Sequence, residues 1–561
     1  MGSVFSVLRS AAKGISAVAK LLYDLNKQYQ ALLLRVNAPP GLPYDKPSNP
    51  YWLDEPPFPE LVDARSEELP GSADVVIIGS GITGVAVARS LYAGAVVGQQ
   101  QQQQQQGDRG DDPSPLPPRV VVLEARQLCA GATGRNGGHV KASPHELFPR
   151  LAAIVGKEKA AALTRFTLRT ADAVLEVGAG KQVSECRRVE TVDFMLDTAA
   201  VEATLKEVEE LKKWIPEVEI EVVGREDAAR RFGVDGDHVF GAVVYQAGAL
   251  WPYRLVASCW RELLDEVGDR LSIETGTAVE EIQLGGTQRR PYVLKTARGN
   301  IRARHVVHAT NAHAAQFLPG LRGKMTGIKA HMTSQRAADG FRWGDGNRSW
   351  GFIYGDGGEF DYVTQRPNGD VMLGGGFGRS LKQGVDMVGV YEDGSTEALT
   401  VAHVAGVMRS VFGNEWTGSV TRAWSGIICF TGDMAPFVGR VPEGISGRKR
   451  GKTSLKVKVK EVDDDDDDGW RGAVAGEWVS AGYCGDGMVW AWLCGTALGV
   501  MISGREGDVL EKGVGFPGGK LEEWFPKDLI VTEDRVKKAD LSNLLDMFLE
   551  SGVDFTGGDW D

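Results

Sequence analysis

The chain has 561 residues, 42% hydrophobic and 25% charged, which is ordinary globular composition but more than one hydrophobic core usually serves, so two interleaved or tandem domains are expected. A formal net charge of −12 argues against a nucleic-acid partner, which needs a basic surface. The six cysteines lack metal-ligand spacing and read as reduced thiols of a cytoplasmic protein with no metal, and no apolar run reaches the ~18–20 residues that span a bilayer.

Residues 1–36 carry apolar side chains at three- and four-residue steps, from Val4, Leu8 and Ala11 to Tyr29, Leu32 and Val36, which predicts a helix. Arg9, Lys13, Lys20, Lys27 and Arg35 face only one acid, Asp24. Three readings stay open: a helix packed on the flank, a basic amphipathic helix making peripheral membrane contact, or a mitochondrial presequence. Gly2 with Ser6 also fits the myristoylation pattern. Residues 37–72 are proline-rich, and Tyr51, Trp52 and Phe58 within them predict a segment that wraps the surface.

The first domain proper begins at residue 73. "VVIIGSGITGVAVARSL" has the form strand, glycine turn, helix. Gly79 allows a tight turn, Gly81 lets the backbone approach a pyrophosphate, and Gly84 lets the helix pack against the strand, while Ile82 and Thr83 open that helix. Amides at the helix N-terminus then hold phosphates. The next strand, "RVVVLEAR", ends in Glu124, the acid expected to bind a ribose hydroxyl. Glu124 lies 40 residues beyond Gly84 rather than about 20. The excess is the glutamine- and proline-rich tract 98–118, expected to be a loop. Lengthening such a loop costs only ~0.6 kcal/mol per doubling, so both strands can stay paired.

The stretch "ARQLCAGATGRNGGHVK" resembles the D-amino-acid oxidase and glycine oxidase superfamily of FAD-dependent oxidoreductases, nearest to its fungal-type members and the amine-oxidising branch with "GATGRNGGH". The resemblance implies that Ala125, Gly131, Ala132, Thr133, Arg135, Asn136, Gly137 and Gly138 line the FAD. It implies that "GTAVEEI" and "IRARHVVHATNAH" close over the adenine through Val279 and Ala309, with Thr310 and Asn311 following. It also implies that Gly485, Asp486, Gly487 and Met488 start a helix pointing at the flavin's pyrimidine edge, where the dipole favours negative charge. Asp486 is a departure, standing where a histidine is frequent. Gly426 occupies the position of a covalently attached cysteine in the sarcosine-oxidising branch; Cys429 lies three residues off register, and His139 is the other candidate for attachment. Non-covalent FAD is expected.

The fold class implied is α/β: a Rossmann-like FAD-binding domain interleaved with an antiparallel-sheet α+β substrate domain. The expected division gives residues 73–170, 245–315 and 421–505 to FAD binding, the last interrupted by a Lys- and Asp-rich loop at 445–472. Residues 171–244 and 316–420 go to the substrate domain, and 506–561 form an extension. "WGFIYGDGGEFDYVTQRPNGDVMLGGGFGR" alternates aromatic and β-branched runs with glycine turns, the pattern of antiparallel strands roofing the flavin. Tyr354, Asp361, Tyr362, Gln365 and Arg366 alternate on these strands, so only some point inward. Tyr354, Tyr362 and Arg366 are the candidate catalytic or clamping residues, Arg366 as a bidentate partner for a carboxylate or as a structural arginine. His308, His313 and His331 are not expected to act as bases. The activity implied is oxidation of a C–N bond of an amine or amino acid by hydride transfer to flavin, with dioxygen as acceptor. The alternatives are a dehydrogenase feeding a membrane carrier and a flavoprotein that only binds.

Overall fold

A computed structural model of the protein describes residues 19–20, 23–24, 26–104, 116–337, 340–355, 359–449, 470 and 472–542. Strand β1, Ser72–Ile78, is buried from Ala73 onward. Helix α1 follows at Ile82–Gln104 and strand β2 at Val120–Leu123, with all four β2 residues buried. β1 pairs in parallel with β2 (Val75 opposite Val120) on one side and with Gly299–His308 (Val75 opposite His305) on the other. Gly476–Ala481 and Leu271–Glu274 extend the parallel array on either flank. Strands covered on both faces are apolar along most of their length, which is why "VVII" and "VVVL" show no alternation.

One cover is helix Ala491–Ile502, buried throughout. It lies close on α1 because small residues face each other: a Cβ built on Gly495 would come 2.8 Å from the Ala86 Cβ, and one on Gly499 would come 2.5 Å from the Ser90 Cβ. The second sheet has nine strands. It is mixed rather than wholly antiparallel as expected, because Arg348–Tyr354 runs parallel to Arg187–Met195. That junction joins segments far apart in sequence, so no hairpin constrains its direction. The expected division between residues 244 and 245 falls inside its strand Gly241–Ala249.

The glutamine tract is a partial correction. α1 continues to Gln104, so the tract begins as helix and not as loop; Gln is a good helix former, and a packed segment ahead of it supplies the nucleus. Residues 105–115, the aspartate run and the myristoylation pattern lie outside the described residues. Residues 26–37 are helical, with Arg35 donating to the Val385 and Val388 carbonyls at 2.7 and 3.0 Å. The proline-rich segment then runs back over the protein, and Trp52 is 1% exposed. Its ring packs against Trp251, whose indole N–H donates to the Trp52 carbonyl at 2.7 Å.

Candidate active site

A cleft of about 220 Å³ opens at the carboxyl ends of β1 and β2, the position where open parallel sheets bind ligands. Gly79 has φ +106°, and a Cβ there would lie 2.8 Å from the Ala309 carbonyl oxygen. At Gly84 a Cβ would lie 2.2 Å from the Gly79 carbonyl oxygen, so glycine is the residue that lets α1 sit this close. A Cβ on Gly81 would first meet the Thr133 hydroxyl, at 2.8 Å. That hydroxyl accepts the Ile82 N–H at 3.0 Å, tying the loop after Glu124 to the helix start. Thr83 is hydrogen-bonded to Tyr483 at 2.8 Å. Glu124 accepts from the Ser80 N–H and hydroxyl at 3.1 and 2.7 Å and from the Arg126 N–H at 3.0 Å. These three donors fix its carboxylate at the cleft wall, beside Ala125, Val279 and Ala309. The Thr310 hydroxyl, also on this wall, has no partner among the described residues. A glycine turn at a helix N-terminus, an acid ending β2 and an unmatched buried hydroxyl together fit the pyrophosphate and ribose of FAD.

The stretch after Glu124 runs beneath the cleft. Gly137 is crowded by the Tyr362 ring, 2.6 Å from where a Cβ would stand, and Gly138 (φ +69°) by the Leu250 carbonyl. The Arg135 side chain is 2% exposed and meets Asp393 at 3.1 Å, while its guanidinium donates to the Ser48 carbonyl. Burial lowers the Arg135 pKa to about 10. Arg126 reaches the same Asp393 at 3.0 Å. Residues 41–44 border the cleft above these contacts. The proline-rich segment therefore forms part of the cleft's border, which sequence reasoning missed because Ser48 and Asp393 carry no signal for a partner so distant in the chain.

A second cavity, about 730 Å³, adjoins the cleft. The two share Asn136, Ala330, Tyr362, Ile428, Gly485 and Met488. Of the candidates on the roof strands, Tyr354, Asp361 and Tyr362 line this cavity. Asp361 accepts from Tyr354 at 2.8 Å and pairs with His403 at 2.7 Å. Tyr362 donates to the Met332 sulfur at 3.1 Å, and burial pushes its pKa up to about 12. Gln365 and Arg366 do not reach the cavity. Arg366 instead pairs with Glu185, at 2.6 Å, and lies over the Trp251 ring. Arg366 lies just past the end of the strand Glu359–Gln365, where the chain turns away from the cavity.

Charged groups near the shared wall come from elsewhere. Lys141, two residues beyond His139, pairs with Asp193 at 2.5 Å, and Asp193 also accepts from Tyr245 at 2.6 Å. Lys141 ends the glycine-rich stretch already singled out, so its place in the sequence was a usable signal. Asp486 lines the same cavity, and burial raises its carboxyl to about 6. Gly487–Val489 forms a short 3-10 turn, and the helix proper starts at Ala491. Asn311, Met434 and Cys484 border the two cavities with positive φ, and non-glycine residues held there cluster at functional sites. His139 is hydrogen-bonded to Ser349 at 3.0 Å and burial lowers its pKa to about 3. Cys429 is buried with its thiol pKa raised, again by burial. His331 accepts the Glu397 N–H at 2.9 Å, His308 pairs with Glu477 at 3.0 Å, and His313 contacts the Gly41 carbonyl at 3.2 Å.

A dinucleotide cradle on a parallel sheet, joined to a cavity roofed by a second sheet, defines a flavin-dependent oxidoreductase. The family model described as DAO, FAD dependent oxidoreductase, matches residues 74–499; the chain belongs to that family. Among solved structures it is similar to L-proline dehydrogenase from P. horikoshii, at 18% identity and TM-score 0.54, covering 82% of this chain and 98% of that one. Glycine oxidase from Geobacillus kaustophilus is similar at 16% identity and TM-score 0.52, covering 78% and 95%. L-amino acid deaminase from Proteus vulgaris, with its specific insertion deleted, is similar at 15% identity and TM-score 0.53, covering 81% and 96%. At these identities the likeness establishes the fold. A search of curated proteins finds no match. No helix among the described residues is long and apolar enough to cross a membrane.

Proposed function

We propose that this flavoprotein oxidises the C–N bond of an amine or amino acid, holds FAD non-covalently and passes electrons to dioxygen. The observation that carries the proposal is the shared wall of cleft and cavity at Asn136, Tyr362, Gly485 and Met488. A ring system reaching that wall from the cleft is exposed to whatever the cavity holds. Bound FAD supplies the two-electron acceptor that C–N oxidation needs. The chain's own residues supply the rest. Lys141 lines the cavity and is held there by the buried Asp193, which Tyr245 also donates to, so its ammonium is a fixed polar point that can orient a substrate, and Tyr362 and Met332 close the space around the reacting carbon to water. Residues proposed to touch FAD are Gly79, Gly81, Ile82, Thr83, Glu124, Ala125, Thr133, Asn136, Gly137, Val279, Ala309 and the Gly485–Met488 turn. Non-covalent binding is supported by Gly426 at the attachment position, by the inert, buried Cys429 thiol and by the Ser349 partner of His139.

The comparison proteins bear the names proline dehydrogenase, glycine oxidase and amino acid deaminase, which supports amino acids as the substrate class. Exposed Tyr23 and Leu34 on the N-terminal segment, at 67% and 74%, favour the second reading, delivery to a carrier at a membrane surface. The test is anaerobic bleaching of the flavin across a panel of amines and amino acids, followed by admission of air. Bleaching and peroxide formation are expected; bleaching reversed only by an artificial acceptor replaces dioxygen with a carrier, and no bleaching by any amine removes the reading. Acid precipitation should leave the protein colourless and FAD in solution.

A further inference from the structure

The large cavity is longer than a small amino acid requires, and one strand measures it. Along Met325–Arg336, paired with Ser419–Thr431, Thr326 stands opposite Phe430, Ile328 opposite Ile428 and Ala330 opposite Gly426. Alternate residues share a face, so Thr326, Ile328 and Ala330 form one continuous floor with Ile428 and Phe430. Ala330 belongs to the wall shared with the FAD cleft, whereas Lys324, just before this strand, belongs to the cavity alone. Six strand residues span roughly 20 Å. The cavity therefore runs as a channel from the flavin wall to the far end of this strand.

Its far end is built by the two ends of the described chain. Tyr29, Leu32, Leu33 and Val36 enter from the N-terminal helix and Leu541 from the C-terminal segment. The Gly323 N–H donates to the Val36 carbonyl at 3.2 Å, and the Leu541 N–H donates to the Gly323 carbonyl at 3.4 Å, so both segments are fastened to one loop. All five residues lie outside the family-matched stretch 74–499. Of the cations nearby, Lys324 meets Asp540 at 2.8 Å, Lys329 meets Glu392 at 2.9 Å, and Arg322 donates to the Ala315 and Gln316 carbonyls at 3.2 and 3.1 Å. Arg322, Lys324 and Asp540 rim this end as well, and between them Tyr29, Leu32, Leu33, Val36 and Leu541 supply a hydrocarbon patch. A glycine-sized substrate would leave this patch wet.

We propose that the substrate is an amine or amino acid bearing a long, unbranched apolar substituent, whose tail is held by Leu32, Leu33, Val36 and Leu541. This rests on the C–N oxidation reading above. The test uses the full-length, FAD-loaded protein and a series of straight-chain carboxylates, acetate to decanoate, as unreactive ligands read by calorimetry and by perturbation of the flavin spectrum. Affinity should rise about fourfold per methylene once the chain passes Ile328. In Leu33→Ser, and independently in Leu541→Ser, the ratio of decanoate to butyrate affinity should fall by about tenfold, with folding checked by circular dichroism and FAD content. The matching 2-amino acids, glycine to 2-aminodecanoate, are then tested for anaerobic bleaching. Chain-length increments without bleaching by any member keep the channel and overturn the chemistry. Bleaching by glycine and alanine with flat carboxylate affinities keeps the chemistry and overturns the channel.

Discussion

The parallel sheet and the mixed sheet solve different problems, and they differ in how they use sequence. The cradle on the parallel sheet is made mostly of backbone: Gly79, Gly84 and Glu124 act through close approach and fixed ends of strands, within a short run of chain once the glutamine tract is set aside. The cavity under the mixed sheet is made of side chains from many separate segments, among them Lys141, Tyr362, His403 and Asp486. A backbone device constrains residue type tightly, because only glycine fits. A side-chain wall tolerates many solutions. The cradle should therefore break sharply under single substitutions, and the cavity wall should bend.

The largest effect is expected at Gly84. Valine there would drive a branched side chain into the Gly79 carbonyl, 2.2 Å from the Cβ position, and purified Gly84→Val should carry essentially no FAD by absorbance. Retention of normal FAD content would show that the helix can move and that the cradle is not the rigid half. Next comes Arg135→Ala, which deprives Asp393, 3% exposed, of the more deeply buried of its two arginine partners. Breaking a buried pair costs about 3–5 kcal/mol, here moderated by Arg126, so a marked drop in the denaturation midpoint is expected. Arg135→Ala combined with Asp393→Ala should recover part of it, and no recovery would mean that the Ser48 contact matters more. Glu124→Ala follows, expected to weaken FAD by about 1.5–3 kcal/mol, roughly tenfold to a hundredfold in Kd, by titration of apoprotein. An unchanged Kd would leave Glu124 as a clamp for Ser80 only.

Legibility followed the same division. The strand–glycine–helix unit was readable because each glycine answers a local steric need, visible now as a close contact at Gly79 and Gly84. The roof strands were readable as strands, but not which residues faced the cavity. Tyr362 and Arg366 differ by four positions, yet Tyr362 lines the cavity and Arg366 is held by Glu185. Helix α1 outran the expected loop because composition marked glutamine as low-complexity while its backbone preference is helical. The role of the proline-rich segment depends on contacts such as Arg135 with Ser48 and Arg126 with Asp393, which no local pattern encodes.

A gentler effect is expected from pH. Burial raises Asp486 to about 6, against about 3.9 for a free side chain. Below pH 4 both folded and unfolded states hold the proton. Between about pH 4 and 6 the folded state holds it and the unfolded state does not, so stability falls as pH rises through this window. Above pH 6 the two states again match. Asp486→Asn should flatten that slope, measured as the denaturation midpoint of wild type and variant from pH 4 to 7. Parallel profiles would mean that the carboxylate is solvated in the cavity after all.

The smallest effect should come from the most conspicuous stretch. Residues 98–118, rewritten as a glycine–serine linker of equal length, should leave the FAD Kd within about threefold. The residues of α1 that pack on the sheet, Ile82 to Tyr92, precede the tract, and Val120–Leu123 follows it. Closure entropy depends on loop length and only weakly on composition, and length is kept. What is lost is the helical extension to Gln104, whose replacement by glycine costs roughly 1 kcal/mol per residue only where helix would otherwise form. The measurement is a flavin titration of apoprotein beside one of Gly84→Val. If the linker variant loses FAD as completely as the valine variant, the tract belongs to the cradle, and the line drawn between a rigid backbone site and a tolerant remainder fails at its clearest point.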